Sequence, residues 1–409
     1  MLSRAVLSAF ATVALAAVAS ACPFCGAQGQ TLAGEVSQAD FIVLGVMKNP
    51  KQDPADFTRG TTELHIETKI KDNPFLNGKT VLSVPRVIKP GPNEKEVRYM
   101  LFCQVIPDDA DSKNMAKAKF DAYRGEQVAA DSKLPDYLAK AIEARKKSGP
   151  ERLRYFFDYL TDSDLVISTD ALMEFGNTEY ADVRALATDA KHPLPADKIA
   201  AWLKDKNTPS SKYGLLGLLL GHAGTAKHAE LLRAMIDDKD NQFNSGLDGI
   251  FAGLILLDND KGWKRLLEFS KEQPAEFNTQ FTVLKVFRFF HDYRPDVIPT
   301  ATVLDGMKHL VGLPDIADMP IEDLRKWKRW DLTDFVLQFD AVPTHNKFGI
   351  VRRAILRFAI QAADAGNAKA KAFVAATVAK SADDADKVKF LRELLEDEKP
   401  KDAGKPKTE

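Results

Sequence analysis

Three cysteines carry the most reactive side chains of this sequence, and two of them stand together. Cys22-Pro23-Phe24-Cys25 sets two thiols three residues apart, and Cys103 lies far downstream. Such a pair acts as a redox dithiol when a helix N-terminus lowers one thiol's pKa. It could also supply half of a metal site, for which His65 is the nearest further ligand in sequence. A plain disulfide is the third use. In an oxidising compartment an odd count leaves one bond and one spare thiol, with three pairings open. We expect the Cys25–Cys103 bond. Cys103 shares an apolar strand face with Leu101 and Val105, and Cys25 frays less than Cys22 at the chain end. Closing that loop of about 80 residues is worth roughly 3–5 kcal/mol in the chain-entropy model, whereas Cys22–Cys25 closes only a small ring.

A second candidate is the basic aromatic run Arg325-Lys326-Trp327-Lys328-Arg329-Trp330. Cations interleaved with indoles can stack on a sugar ring or hold a partner's acidic side chains. Arg325, Trp327, Lys328 and Trp330 are therefore candidate partner-binding residues. The simpler reading is an amphipathic helix begun by Pro320, with both indoles in the core and the cations in water.

Other constellations fall short of a site. None of the seven histidines forms His-Glu-x-x-His. His222 and His228 are six apart across a glycine-containing turn, a poor fit to one helix face. Asp258-x-Asp260-x-Gly262 lacks the remaining ligands of a calcium loop and reads as an Asx-rich turn. Phosphate-loop and Gly-x-Ser-x-Gly patterns are absent. Glycines at 214, 217, 221, 246, 249 and 253 are spaced to let helices pack closely. The expectation is a protein without catalysis, metal or cofactor.

The elements that must position these residues begin with a leader. Arg4, the apolar run Ala5–Val18 and Ala19-Ser20-Ala21 make a secretory signal peptide over residues 1–21. The run is shorter than a membrane span, and no later stretch spans either. Lipidation of Cys22 is the alternative, although Ala19 stands where a bulky apolar residue is usual. The expected location is periplasmic or extracellular. The whole 409-residue chain carries 57 Lys+Arg against 58 Asp+Glu. That balance gives no global attraction to nucleic acid or acidic lipid; the expected partner is a protein, which the concave face of stacked helix pairs would suit.

Residues 22–110 read as a small β-domain. Phe41–Met47 is an apolar run, Thr61–Ile70 alternates, Thr80–Val84 follows an Asn77-Gly78 turn, and Glu96–Ile106 is apolar on both faces. Short strands with Gly/Pro turns predict an antiparallel barrel or sandwich. Residues 111–150 read as a helical linker, with helices at Lys113–Tyr123 and Leu134–Lys147, the latter stopped by Ser148-Gly149-Pro150. From 151 to 395 apolar helices alternate with more charged ones. The turn residues Gly176, Gly221, Asp258 and His291 are 45, 37 and 33 positions apart, the period of a HEAT-like α-solenoid. Residues 396–409 offer no apolar face and read as a disordered tail.

Two resemblances accompany this reading. An N-terminal cysteine after the leader, a short cysteine cluster and a following β-domain resemble the netrin-like OB-fold domain of tissue metalloproteinase inhibitors. That likeness implies an OB-type barrel and a Cys22 that chelates a protease zinc; those inhibitors carry Cys-x-Cys where this chain has Cys-x-x-Cys. The segments Glu151-Arg152-Leu153, Phe156-Phe157-Asp158-Tyr159-Leu160, Asp170-Ala171, Glu174-Phe175 and Tyr180-Ala181-Asp182-Val183 are similar to exported bacterial HEAT-like proteins with a Cys-Pro-Phe-Cys N-terminus. That likeness implies the stacked-helix architecture and supplies no active site. Taken together, the sequence predicts a mostly α protein with a small β-domain, acting as an exported binding or scaffolding protein. A thiol–disulfide or metal-handling role for Cys22, Cys25 and Cys103 is the first alternative, and a protease inhibitor acting through Cys22 is the second.

Overall fold

The computed structural model describes residues 22–25, 29–56, 58–89, 97–108, 114–115, 117–241, 245–272 and 276–398. The leader expected over residues 1–21 lies outside them. Two compact units divide the chain, Met1–Leu194 and Pro195–Glu409.

Unit 1 is built on one antiparallel sheet: β1 (Phe41–Gln52), β2 (Gly60–Lys71), β3 (Val81–Val84), β4 (Val97–Ile106) and β5 (Lys119–Gln127), in the order β3-β2-β1-β4-β5. Strand alternation sends Phe41, Val43, Leu101 and Cys103 to one face, where they pack with Leu64, Phe75 and Leu82. The opposite-facing Ile42, Leu44, Met100 and Phe102 are buried as well. β1 and β4 are therefore inner strands covered on both faces, which explains their apolar runs. Register sets Phe41 opposite Cys103 and Val43 opposite Leu101.

The helix expected at Lys113–Tyr123 is a correction. Its second half, from Lys119, opens β5 (Lys119–Gln127), which pairs along β4. Phe120 and Ala122, two apart, close the sheet's apolar cluster, and pairing with β4 outweighs the weak helical spacing of the segment. Ser148-Gly149-Pro150 also starts a helix rather than only stopping one. Ser148 is the N-cap position and Pro150 sits in the first turn of α3, where proline's missing N–H costs nothing.

The helices of unit 1 are α1 (Leu32–Gln38), α2 (Leu134–Ala144), α3 (Gly149–Phe157), α4 (Leu165–Gly176) and α5 (Tyr180–Ala187). α1 is held by a polar stripe on α4. Asp170 accepts from the backbone N–H groups of Leu32 and Ala33 and from Tyr137 Oη. Glu174 accepts from Thr31 Oγ1 and Arg145, and Asn177 exchanges hydrogen bonds with the backbone of Gly29. Positions 170, 174 and 177 share one helix face; Asp170 takes the first two orphan donors of α1, and Thr31, itself donating to Glu174, caps Gly34.

Unit 2 is helical. Its elements are α6 (Ala196–Lys204), α7 (Tyr213–Ala223), α8 (Ala226–Asp237), α9 (Leu247–Leu257), α10 (Asn259–Glu272), α11 (Phe277–Asp292) and α12 (Thr300–Val311). They continue with α13 (Asp318–Lys326), α14 (Thr333–Leu337), α15 (Pro343–Asn346), α16 (Gly349–Asp364), α17 (Ala368–Val378) and α18 (Ala382–Asp397). The alternation of apolar and charged helices is present: α7, α9 and α11 pack on one another, each followed by its more polar partner α8, α10 or α12. Helix pairs stacked this way give unit 2 a solenoid-like character. The glycine spacing works as expected. A Cβ at Gly217 would stand 2.7 Å from the Gly249 carbonyl oxygen, and one at Gly253 2.2 Å from that of Gly217, so the α7 and α9 backbones touch. The tail expected from Glu396 is partly corrected, because Glu396 and Asp397 belong to α18. Residues 399–409 lie outside the described residues.

A candidate partner-binding groove and the fate of the cysteines

The basic aromatic run straddles the end of α13 instead of lying on one helix. Asp318 occupies the first turn of α13, and Arg325 and Lys326 the last, complementing the helix dipole. The helix then stops in a two-bond cap. Arg329 N–H donates to the Leu324 carbonyl at 2.9 Å and Lys328 N–H to that of Arg325 at 3.0 Å. This closure sets Lys328 at φ 56°, a left-handed position that usually carries glycine.

The cap separates the two indoles. Trp327 lies half-buried against His291 of α11, rings stacked at 3.5 Å between centroids. Trp330 begins a 3-10 turn and meets Phe358 of α16 edge-on at 5.2 Å. The expectation of one amphipathic helix burying both indoles is thus replaced by two separate contacts.

Arg325 is a correction in the other direction. It is 3 % exposed, and its guanidinium donates to Glu322 Oε2 (2.7 Å), Gln361 Oε1 (2.9 Å) and Glu398 Oε2 (2.9 Å). Arg357 pairs with the same two glutamates. Burial works against the Glu398 charge, but the hydrogen bond from Arg357 and the nearby Arg325 and Arg357 charges outweigh it and hold the carboxyl below its usual range. Removing a carboxylate would leave the buried Arg325 charge less compensated, at a cost reduced by the partial exposure of Glu398 to water. Arg325 is therefore a brace, tying α13 to α16 and to the end of α18.

Above this brace runs a groove of about 930 Å³. Lys326, Lys328 and Trp330 line one side, Gln361 and Asp364 the α16 side, and Arg392 the α18 side. Lys326 and Lys328 are exposed and Trp330 is half-buried. Sequence reasoning found the α13 side of this groove. It missed Gln361, Asp364 and Arg392, which reach it from 30 to 70 residues away with no local motif to mark them. His291 was equally invisible as the partner of Trp327.

The expected Cys25–Cys103 bond is not formed. Cys22 is bonded to Cys25, with Cα atoms 5.4 Å apart, in a turn closed by Cys25 N–H donating to the Cys22 carbonyl. Cys103 is a free thiol, fully buried on β4 as its strand pattern required. Its neighbours supply apolar packing rather than a sulfur, and burial, with the charge of Asp121, pushes its thiol pKa far up. A thiol of that kind is inert. Cys22 and Cys25 are themselves 2 % and 5 % exposed. His65 sits beside Glu63 on β2.

The remaining histidines and acids have structural work. His228 Nδ1 accepts from Thr225 N–H in a capping box, and its Nε2 meets Asp197 Oδ1 at 3.1 Å, so the His222–His228 pairing is spent. Asp258 pairs with Arg233 and Lys261 at the α9–α10 junction. Among the described residues no three His, Cys, Asp or Glu side chains come together to hold a metal ion, and no helix is long and apolar enough to cross a membrane. No protein-family model, no curated protein and no solved structure matches this chain.

Proposed function

We propose that this chain is an exported binding protein that holds a segment of a protein partner in the groove between α13, α16 and α18. The observation that carries the reading is the half-buried Trp330 flanked by exposed Lys326 and Lys328, on a floor braced by the ion-pair network of buried Arg325 with Glu322, Arg357 and Glu398. An aromatic anchor beside cations, held by a rigid support, is the composition of a binding hot spot. The partner segment then carries carboxylates for the two lysines and an apolar group for the indole. Affinity capture from the exported fraction, followed by titration of the purified partner, tests this. Lys328→Glu should weaken binding about tenfold or more with an unchanged melting profile. A partner that binds Lys328→Glu and Trp330→Ala as well as the parent would rule the groove out.

A second reading is favoured by one observation, the bond within Cys22-Pro23-Phe24-Cys25 itself. We propose it as a thiol–disulfide exchange site only if the turn opens, because both sulfurs are nearly covered. Exchange with a glutathione redox couple measures this, and a bond that resists exchange in the folded chain removes the reading. The inhibitor reading needs an accessible Cys22, and burial of that residue speaks against it.

A further inference from the structure

A stack of helix pairs exposes the apolar side of its last member unless that member has a polar outer face. In unit 2 the last layer is α16, α17 and α18, and its outer face sets exposed apolar side chains among the charges of α16 and α18. Phe390 is 58 % exposed, Ile350 60 %, Val378 41 % and Leu394 37 %. Phe390 walls a groove of about 610 Å³ that is floored by Leu356, Phe373 and Leu391. Of the exposed large apolar side chains among the described residues of unit 2, only Phe277 lies outside α16, α17 and α18. An apolar-floored groove with an exposed phenylalanine on its wall is surface of the kind that takes a partner.

Charge identifies the occupant. On the rim, among the described residues, Arg352 donates to Asn346 Oδ1 and Arg353 makes no ion pair; Lys387 pairs with Asp384, whose carboxyl also feels Lys380, and Asp340 is the other acid. The adjoining α18 has six carboxylates against three cations, and among the described residues its Asp386 and Glu393 make no ion pair. A purely acidic partner would meet the carboxylates of α18, and a purely basic one would meet Arg352, Arg353 and Lys380. A second copy of the chain supplies both signs at once. Two-fold symmetry then brings each acidic α18 to the other copy's cationic rim and Phe390 towards the other copy's groove. We propose that this terminal face of unit 2 is a self-complementary homodimer interface. The inference stands apart from the α13 groove and does not depend on any partner found there.

The test is the mass of the purified chain in solution, by light scattering and sedimentation over a wide concentration range. The expected result is a reversible dimer that weakens as salt is raised. Phe390→Asp, and Arg352→Glu with Arg353→Glu together, should each weaken dimerisation about tenfold or more. All of these side chains are exposed, so the variants should melt like the parent, and a shared melting profile certifies that they fold. A monomer at every concentration overturns the proposal. So does a dimer indifferent to both variants, and so does a monomer whose terminal face instead binds an unrelated protein.

Discussion

Tyr137 Oη donates to Asp170 Oδ2 at 2.8 Å where both side chains are almost wholly out of water. Burial pushes the Asp170 pKa up to about 6 from 3.8; the hydrogen bonds from Tyr137, Leu32 and Ala33 pull against it, and the Glu174 charge adds to the rise. A carboxyl whose folded pKa is raised binds its proton more tightly folded than unfolded. Its contribution to stability is complete below pH 3.8 and is lost as pH rises through about 6. We expect unit 1 to lose about 2–3 kcal/mol from this group between acid and neutral pH. Denaturant unfolding at about pH 4.5 and about pH 7 should show that slope, and Asp170→Asn should flatten it. An unchanged slope in the variant would assign the effect elsewhere.

The α7–α9 contact predicts a sharp response to a single methyl group. A Cβ at Gly249 would fall 2.1 Å from the Gly214 carbonyl oxygen, inside a fully packed layer. Gly249→Ala should cost about 1–3 kcal/mol or more through forced separation of the helices. Helix propensity alone would change stability in the opposite direction, by about 1 kcal/mol, so the sign of the shift in thermal unfolding decides between packing and propensity.

The three cysteines should separate in a thiol titration. Cys103 should resist modification in the folded chain and react in denaturant, because it is buried and its thiol holds its proton. Reducing Cys22–Cys25 should lower stability by no more than about 2 kcal/mol, the chain-entropy value for so short a loop. Peptide mapping that recovered Cys25 joined to Cys103 would refute both expectations.

Lys328 should trade stability against binding. Its φ of 56° strains any residue with a Cβ, and Lys328→Gly should relieve about 0.5–1 kcal/mol and raise the melting temperature. If the lysine holds a partner's carboxylate, the same change should weaken that binding. A more stable variant with undiminished partner affinity would mean that the lysine serves neither end.

The residue order by itself determined the succession of apolar and charged helices in unit 2, four of the five strands, and the glycine spacing that lets helices pack closely. Each follows from a period of two or 3.6, or from the absence of a side chain, and all of these are local properties. Tertiary structure decided the rest. Lys119–Gln127 became a strand because β4 had an edge to pair, and a pairing partner 20 residues away leaves no local pattern. Cys103 was rightly placed inside the sheet, yet its bond partner was decided elsewhere, by a turn that brings Cys22 to Cys25. Arg325 looked like a surface cation and became a buried brace, because Gln361 and Glu398 arrive from helices 36 and 73 residues away to satisfy it. Charge type is written in the chain, but whether a charge meets water or a partner depends on what the fold carries to it.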